Sequence, residues 1–131
     1  MASQIEQAHN AIQLSGSYQN SAAIPVNSCG QHTVHISYDP DTVDGTTILN
    51  TRIQLSPDGG KTWVTWRPFE LSSGTYTIGP DNFPIVANDS DKTSTVVVYG
   101  DATHLRVSVK ESGSPGDFGN ASVWVVSRSP S

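Results

Sequence analysis

Thr33-Val34-His35-Ile36-Ser37-Tyr38 alternates strictly, with Val34, Ile36 and Tyr38 on one side and polar residues on the other. A two-residue period is the signature of a half-buried β-strand, because successive side chains leave opposite faces of the pleat. Asp39-Pro40-Asp41 stops the run with turn chemistry. The same pattern recurs from His104 to Val109, where Leu105, Val107 and Val109 face one way and Arg106, Ser108 and Lys110 the other. Ile48 to Leu55 sets Ile53 and Leu55 against Arg52 and Gln54.

Outward from these runs the chain stays β. A first strand is expected through Ile12, Leu14 and Tyr18, interrupted at Gly16, followed by a loop over residues 19–30. Lys61 to Arg67, Gly74 to Ile78, Thr93 to Tyr99 and Ala121 to Val126 read as further strands, the last around Trp124. About seven or eight short strands, with turn signals every 8–15 residues, predict an all-β fold, an antiparallel β-sandwich or jelly roll. The expected division is an N-terminal arm or tail at residues 1–12 and one sandwich domain over 13–131. Within the arm, Ser3 and Glu6 have capping-box spacing and Ile5, Ala8 and Ile12 form a rough helical stripe, so a short helix, an ordered arm and a mobile tail are all open.

Composition narrows the function classes. Charged residues are 15% of the 131, the net charge is −5, and seven Lys and Arg are spread along the sequence. A surface that tracks phosphates needs clustered basic residues, so direct nucleic-acid binding is not expected, nor is a basic membrane patch. No apolar run approaches a membrane span. The opening Met-Ala-Ser-Gln-Ile-Glu has neither the basic nor the apolar region of a signal peptide, which predicts a complete, unexported chain made in the cytoplasm. The one cysteine, Cys29, excludes an intramolecular disulfide.

Catalytic and metal patterns are missing. His9, His32, His35 and His104 offer no pair with good ligand spacing on one element. Asp39, Asp41 and Asp44 look like a calcium-loop fragment without the remaining ligands, and with Asp89 and Asp91 read as turn formers. Gly113-Ser114-Pro115-Gly116 has proline where a phosphate loop needs an amide donor. Neither an enzyme activity nor a cofactor or metal is expected.

The segment Ser56-Pro57-Asp58-Gly59-Gly60-Lys61-Thr62-Trp63 resembles the Asp box of the hairpins in sialidase-like propeller blades. That resemblance implies a structural turn built on Ser56, Asp58, Gly60 and Trp63, away from any catalytic centre. Asp58 is placed to accept turn amides, Gly60 allows positive φ, and Trp63 can fold over the hairpin base. A carbohydrate contact through this hairpin stays open beside the structural reading. Trp63 and Trp66 are three residues apart, so a regular strand sends them to opposite faces.

More widely, the Ser/Thr/Asn/Gly-rich β composition is similar to tailed-bacteriophage small virion proteins of capsid decoration (cement) type. The features that carry this are Ile53 to Trp63, Ala102 to Val109 and Ala121 to Trp124. The resemblance implies a homo-oligomer, with a trimer favoured, seated on the capsid surface against the major capsid protein or another virion protein. Candidate interface residues are Ile5 and Ile12 in the arm, Trp66, and the island Phe83, Ile85 and Val86. For that island, a plug in the domain's own core is the equal alternative. The functional alternative is a carbohydrate-binding or host-recognition module of a phage tail, with a Trp exposed in a groove.

Overall fold

The computed structural model describes residues 3–27, 29–88, 92–113 and 116–129. It is all-β, and every strand pairing is antiparallel. Among the described residues eight strands have four or more residues: β1 (Ser3–Gln13), β4 (Gln31–Asp39), β5 (Ile48–Ser56), β7 (Phe69–Ser72), β8 (Thr75–Ile78), β10 (Thr93–Tyr99), β11 (His104–Ser112) and β12 (Asn120–Arg128). Four two-residue pieces complete the set: β2 (Gln19–Asn20), β3 (Ile24–Pro25), β6 (Val64–Thr65) and β9 (Ile85–Val86).

Two sheets enclose the core. The first has the order β1-β12-β4-β10, and the second the order β2-β11-β5-β6, with β3 beside β11 and β9 beside β5. Inward residues are those the alternation predicts. Val34, Ile36 and Tyr38 meet Val123 and Val125 in the first sheet, and Leu49, Ile53, Leu105, Val107 and Val109 face them from the second. The inward row of β11 ends on Glu111, which is buried. Its carboxylate accepts the Tyr38 hydroxyl and, at 3.0 Å, the Gly119 amide. Burial, then the bond to Glu111, pushes the Tyr38 phenol well above its usual range.

Of the N-terminal alternatives, the short helix is corrected. Residues 3–13 are strand β1, laid along β12, and no helix opens at Ser3. A helix of ten residues is marginal alone, whereas the sheet edge offers a full row of backbone partners. Register shifts between Gln7 and His9 and between His9 and Ile12 change the phase of the strand. Ile5 therefore points outward while Ala8 and Ile12 pack against the core. His9 is buried and bonds the Val107 carbonyl through Nε2 at 2.9 Å. His32 is buried between Ser127 Oγ at 2.8 Å and the Gly100 carbonyl at 3.1 Å. Burial lowers the pKa of both imidazoles.

Two further corrections concern loops. The segment at 19–30 holds β2 and β3, whose polar sequence conceals their short pairings with β11. Of the expected strand Lys61 to Arg67, Val64 and Thr65 pair with β5 and the Trp66 amide donates to the Ile53 carbonyl at 2.8 Å, while Lys61 to Trp63 belong to the turn.

Candidate interaction surface

Between β5 and β10 the chain makes two excursions, and the first is the Asp-box turn. Ser56 Oγ donates to Asp58 Oδ1 at 2.9 Å and accepts the Gly60 amide at 2.8 Å. Asp58 Oδ1 also accepts the Thr62 amide at 2.8 Å. The side-chain and backbone bonds from Thr62 hold the Asp58 carboxyl below its ordinary range. Gly59 and Gly60 both have positive φ, which side-chain-bearing residues rarely adopt. Thr103 ties the turn to the neighbouring loop by accepting the Gly59 amide at 2.8 Å and donating to the Ser56 carbonyl at 3.1 Å.

Trp63 lies against the outer face of the second sheet, with the Arg106 guanidinium 4.3 Å from its ring centroid. Trp66 packs instead on Phe83, with ring centroids 5.9 Å apart. Phe83 and Trp66 pack against the core, and Ile85 is part of it. Val86 is half-buried in β9, paired with Ile48. The island is thus the core plug. Phe83 and Ile85 are consumed by burial and are withdrawn as contact residues, because the loop returns along β5 and its apolar side chains fill the gap there.

The second excursion is the hairpin β7–β8, of which the sequence showed only the second strand. Phe69 pairs with Ile78 and Leu71 with Tyr76, so all four share one face. The turn residues Ser73 and Gly74 both have positive φ, the type I′ arrangement whose twist matches the strands. Arg67 Nε pins its base by donating to the Gly79 carbonyl at 2.8 Å. Among the described residues, β7 and β8 form a two-stranded sheet paired only with each other.

That apolar face is uncovered. Phe69, Leu71, Tyr76 and Ile78 are 59 to 78% exposed, and Val64 and Tyr99 fall in the same range. Trp66, Arg67, Pro68, Phe69 and Tyr99 line a cleft of about 400 Å³ that joins the hairpin to the end of β10. A second cleft of about 300 Å³ carries the surface on through Leu55, Val64 and Ala102. At ~200 Å² for a fully exposed aromatic side chain, the six exposed residues offer roughly 700 Å² of apolar surface. The largest patch on a typical monomer is only ~300–600 Å².

Elsewhere the fold gathers residues that are dispersed in sequence. Arg52, Arg106 and Lys110, three of the seven basic residues, share the outer face of the second sheet. Arg52 and Lys110 stand 4.2 and 4.6 Å from the centroid of the Tyr18 ring. Burial first, and then the charge of Arg52, lowers the pKa of Arg106. The expectation of evenly scattered basic charge is corrected to this extent. Cross-strand register, which sequence order hides, put them together.

The remaining candidates are structural. Asp44 Oδ1 accepts the Thr46 and Thr47 amides at 3.0 and 2.6 Å, closing its own turn. Asp89 and Asp91 lie outside the described residues, as do Ser114 and Pro115. Among the described residues no three His, Cys, Asp or Glu side chains gather as a metal site. Cys29 is buried and unpaired.

No protein-family model and no curated protein matches this sequence. Among solved structures, the chain is similar to the subunit in "Bacillus endospore appendages form a novel family of disulfide-linked pili". The TM-score is 0.51 and the identity 9%, over 98% of this chain and 89% of that one. It also overlays a chain of infectious bursal disease virus Gx strain at TM-score 0.42 and 16% identity, spanning 96% of itself but 32% of the viral chain. The corresponding Gt strain chain gives 0.31 and 14%, over 38% of its length. At 9% identity the likeness to the pilus protein is one of fold, consistent with a β-sandwich.

Proposed function

We propose that this chain is a structural subunit of a virion, a bacteriophage capsid decoration (cement) protein that binds the capsid surface and stabilises the head. The observation that carries the reading is the β7–β8 hairpin, with four large apolar side chains on one exposed face. A two-stranded ribbon is marginal in water by itself, and an apolar face of this size is stabilised by contact with a partner. The partner is the major capsid protein or another virion protein, with the chain itself homo-oligomeric. Its role is contact and not catalysis, and it acts on the capsid surface after synthesis in the host cytoplasm. The pilus subunit with the same architecture supports a role in assembly.

The test pairs genomic context with sedimentation. A major capsid protein gene is expected nearby, and the purified chain should pellet with shells of that capsid protein and raise their heat resistance. A variant with Phe69, Leu71, Tyr76 and Ile78 changed to Ser should stay in the supernatant. A wild-type chain that never pellets with such shells contradicts the reading.

A second reading, a carbohydrate-binding or host-recognition module of a tail, is favoured by the cleft where Trp66, Phe69 and Tyr99 converge beside Arg67. Aromatic faces with a polar neighbour suit sugar rings. Glycan-array binding that is lost in Tyr99→Ala would establish it, and an array without hits removes it.

A further inference from the structure

The basic residues on the outer face of the second sheet lack a counter-charge. Arg106 and Lys110 lie four residues apart on β11, roughly 13 Å along the strand. Arg52 sits level with the midpoint between them, opposite Ser108. Among the described residues none of the three forms an ion pair. Arg52 and Lys110 converge on the Tyr18 ring, which brings two like charges together. Arg106 spends its Nε on Gln54 Oε1, and Arg52 Nε is shielded with no acceptor. The register sets Asn20, Asn50, Gln54 and Ser108 among the cations, and no carboxylate. The chain as a whole has twelve acidic residues and a net charge of −5, so this face is a cationic island on an acidic protein.

We propose that this face is a recognition site for carboxylates and takes an acidic segment of the partner protein in extended conformation. The inference rests on the reading of the chain as an assembly subunit and names the chemistry of the surface it binds. Like charges held together are unfavourable until an anion joins them, and a carboxylate completes a guanidinium with paired hydrogen bonds. Spacing favours a peptide. An extended segment repeats its side chains on one face about every 7 Å, so acidic residues at alternate positions come level with Arg106, Arg52 and Lys110 in turn. The rings that would stack on a sugar, Tyr18 and Trp63, are already engaged by the cations. A DNA duplex presents a charge about every 1.7 Å, and the acidic chain around three cations repels most of it. The face also adjoins the apolar surface. Gln54 accepts from Arg106 and donates to Thr65 Oγ1 at 3.2 Å, and Thr65 lines the cleft that runs to Val64 and Trp66. An apolar contact bordered by charge has the make-up of a protein interface, with the charges fixing its orientation.

Binding of a short peptide of alternating Glu and Ser to the full chain, followed by the anisotropy of a dye on the peptide, tests this. The Glu peptide should bind and its Gln counterpart should not. Arg52→Gln with Lys110→Gln should weaken binding about three- to tenfold with circular dichroism unchanged, and added salt should weaken it too. Should that variant fail to fold, the wild-type chain decides: on adding the Glu peptide, amide NMR shifts should cluster at residues 18–20, 50–54 and 106–110. No binding at low salt, equal binding of the Glu and Gln peptides, indifference to the two substitutions, or shifts centred elsewhere overturns the site. Tighter binding of a hyaluronate oligosaccharide or of a DNA oligonucleotide of equal charge overturns the choice of a peptide. Co-sedimentation with capsid shells is scored separately. A chain that pellets with shells but ignores the Glu peptide loses this inference alone, whereas one that binds the peptide and never pellets loses the capsid reading.

Discussion

In the turn at Ser56 to Trp63, each side chain that the motif specifies finds its partner inside the chain. In the hairpin at Phe69 to Ile78, four large apolar side chains have one another as cross-strand neighbours and stay mostly exposed. Both leave the same side of β5, separated by the short pairing of Val64 and Thr65. The first is polar in composition and closed by hydrogen bonds. The second is apolar and pinned only at its base by Arg67. A segment that satisfies itself is a folding device. One that leaves four large apolar side chains mostly in water has the make-up of a contact surface.

The contrast can be broken at either end. Removing both Ser56 and Asp58 side chains in a Ser56→Ala/Asp58→Ala protein should cost about 2–4 kcal/mol, since several turn amides lose acceptors. Urea unfolding measures this, and the loss should leave the hairpin's contacts intact while the protein is folded. The converse change, Ser at Phe69, Leu71, Tyr76 and Ile78, should move the unfolding free energy by no more than about 1 kcal/mol, because surface substitutions away from packed features are nearly neutral. A large loss there would mean that the hairpin packs on its own domain and would collapse the distinction.

Smaller effects sharpen it. Arg106→Ala removes the cation over Trp63 and a 2.7 Å bond to Gln54 Oε1, for about 1–2 kcal/mol. Ser73→Gly relieves a side chain held at φ +52 in the hairpin turn and should stabilise by about 0.5 kcal/mol, seen as a small rise in Tm. Acidity separates body from hairpin. Burial depresses His9 and His32, so the unfolded chain binds protons first as pH falls below ~6.5, and stability declines from there through the folded pKa values. Melting temperatures across that range should fall, while contact through the hairpin face, which has no ionisable side chain near that pH, should hold as long as the chain is folded.

Much of the sandwich was legible in the sequence. The alternations at Thr33 to Tyr38 and His104 to Val109 gave strands with the correct inward faces, because burial on one side of a sheet writes a two-residue period directly. The Asp-box turn was legible for the same local reason. The arm was not, because the register shifts of β1 erase its period, and its pairing with β12 spans nearly the whole chain. The candidate surface was half legible. Gly74 to Ile78 read as a strand, but Phe69 to Leu71 gave no alternation against a core, and exposure of both strands is a tertiary fact. Phe83 and Ile85 look the same in sequence whether they plug a core or face a partner; only the return of their loop along β5 decides.

The central claim is that the hairpin is a contact surface and the Asp-box turn is not. Amide hydrogen exchange, followed on the free chain and on the chain bound to capsid shells, tests it most directly. Residues 69–78 should gain strong protection on binding while residues 56–63, already protected by their own bonds, stay the same. Equal exchange of 69–78 in both states, with protection appearing elsewhere, would contradict the account.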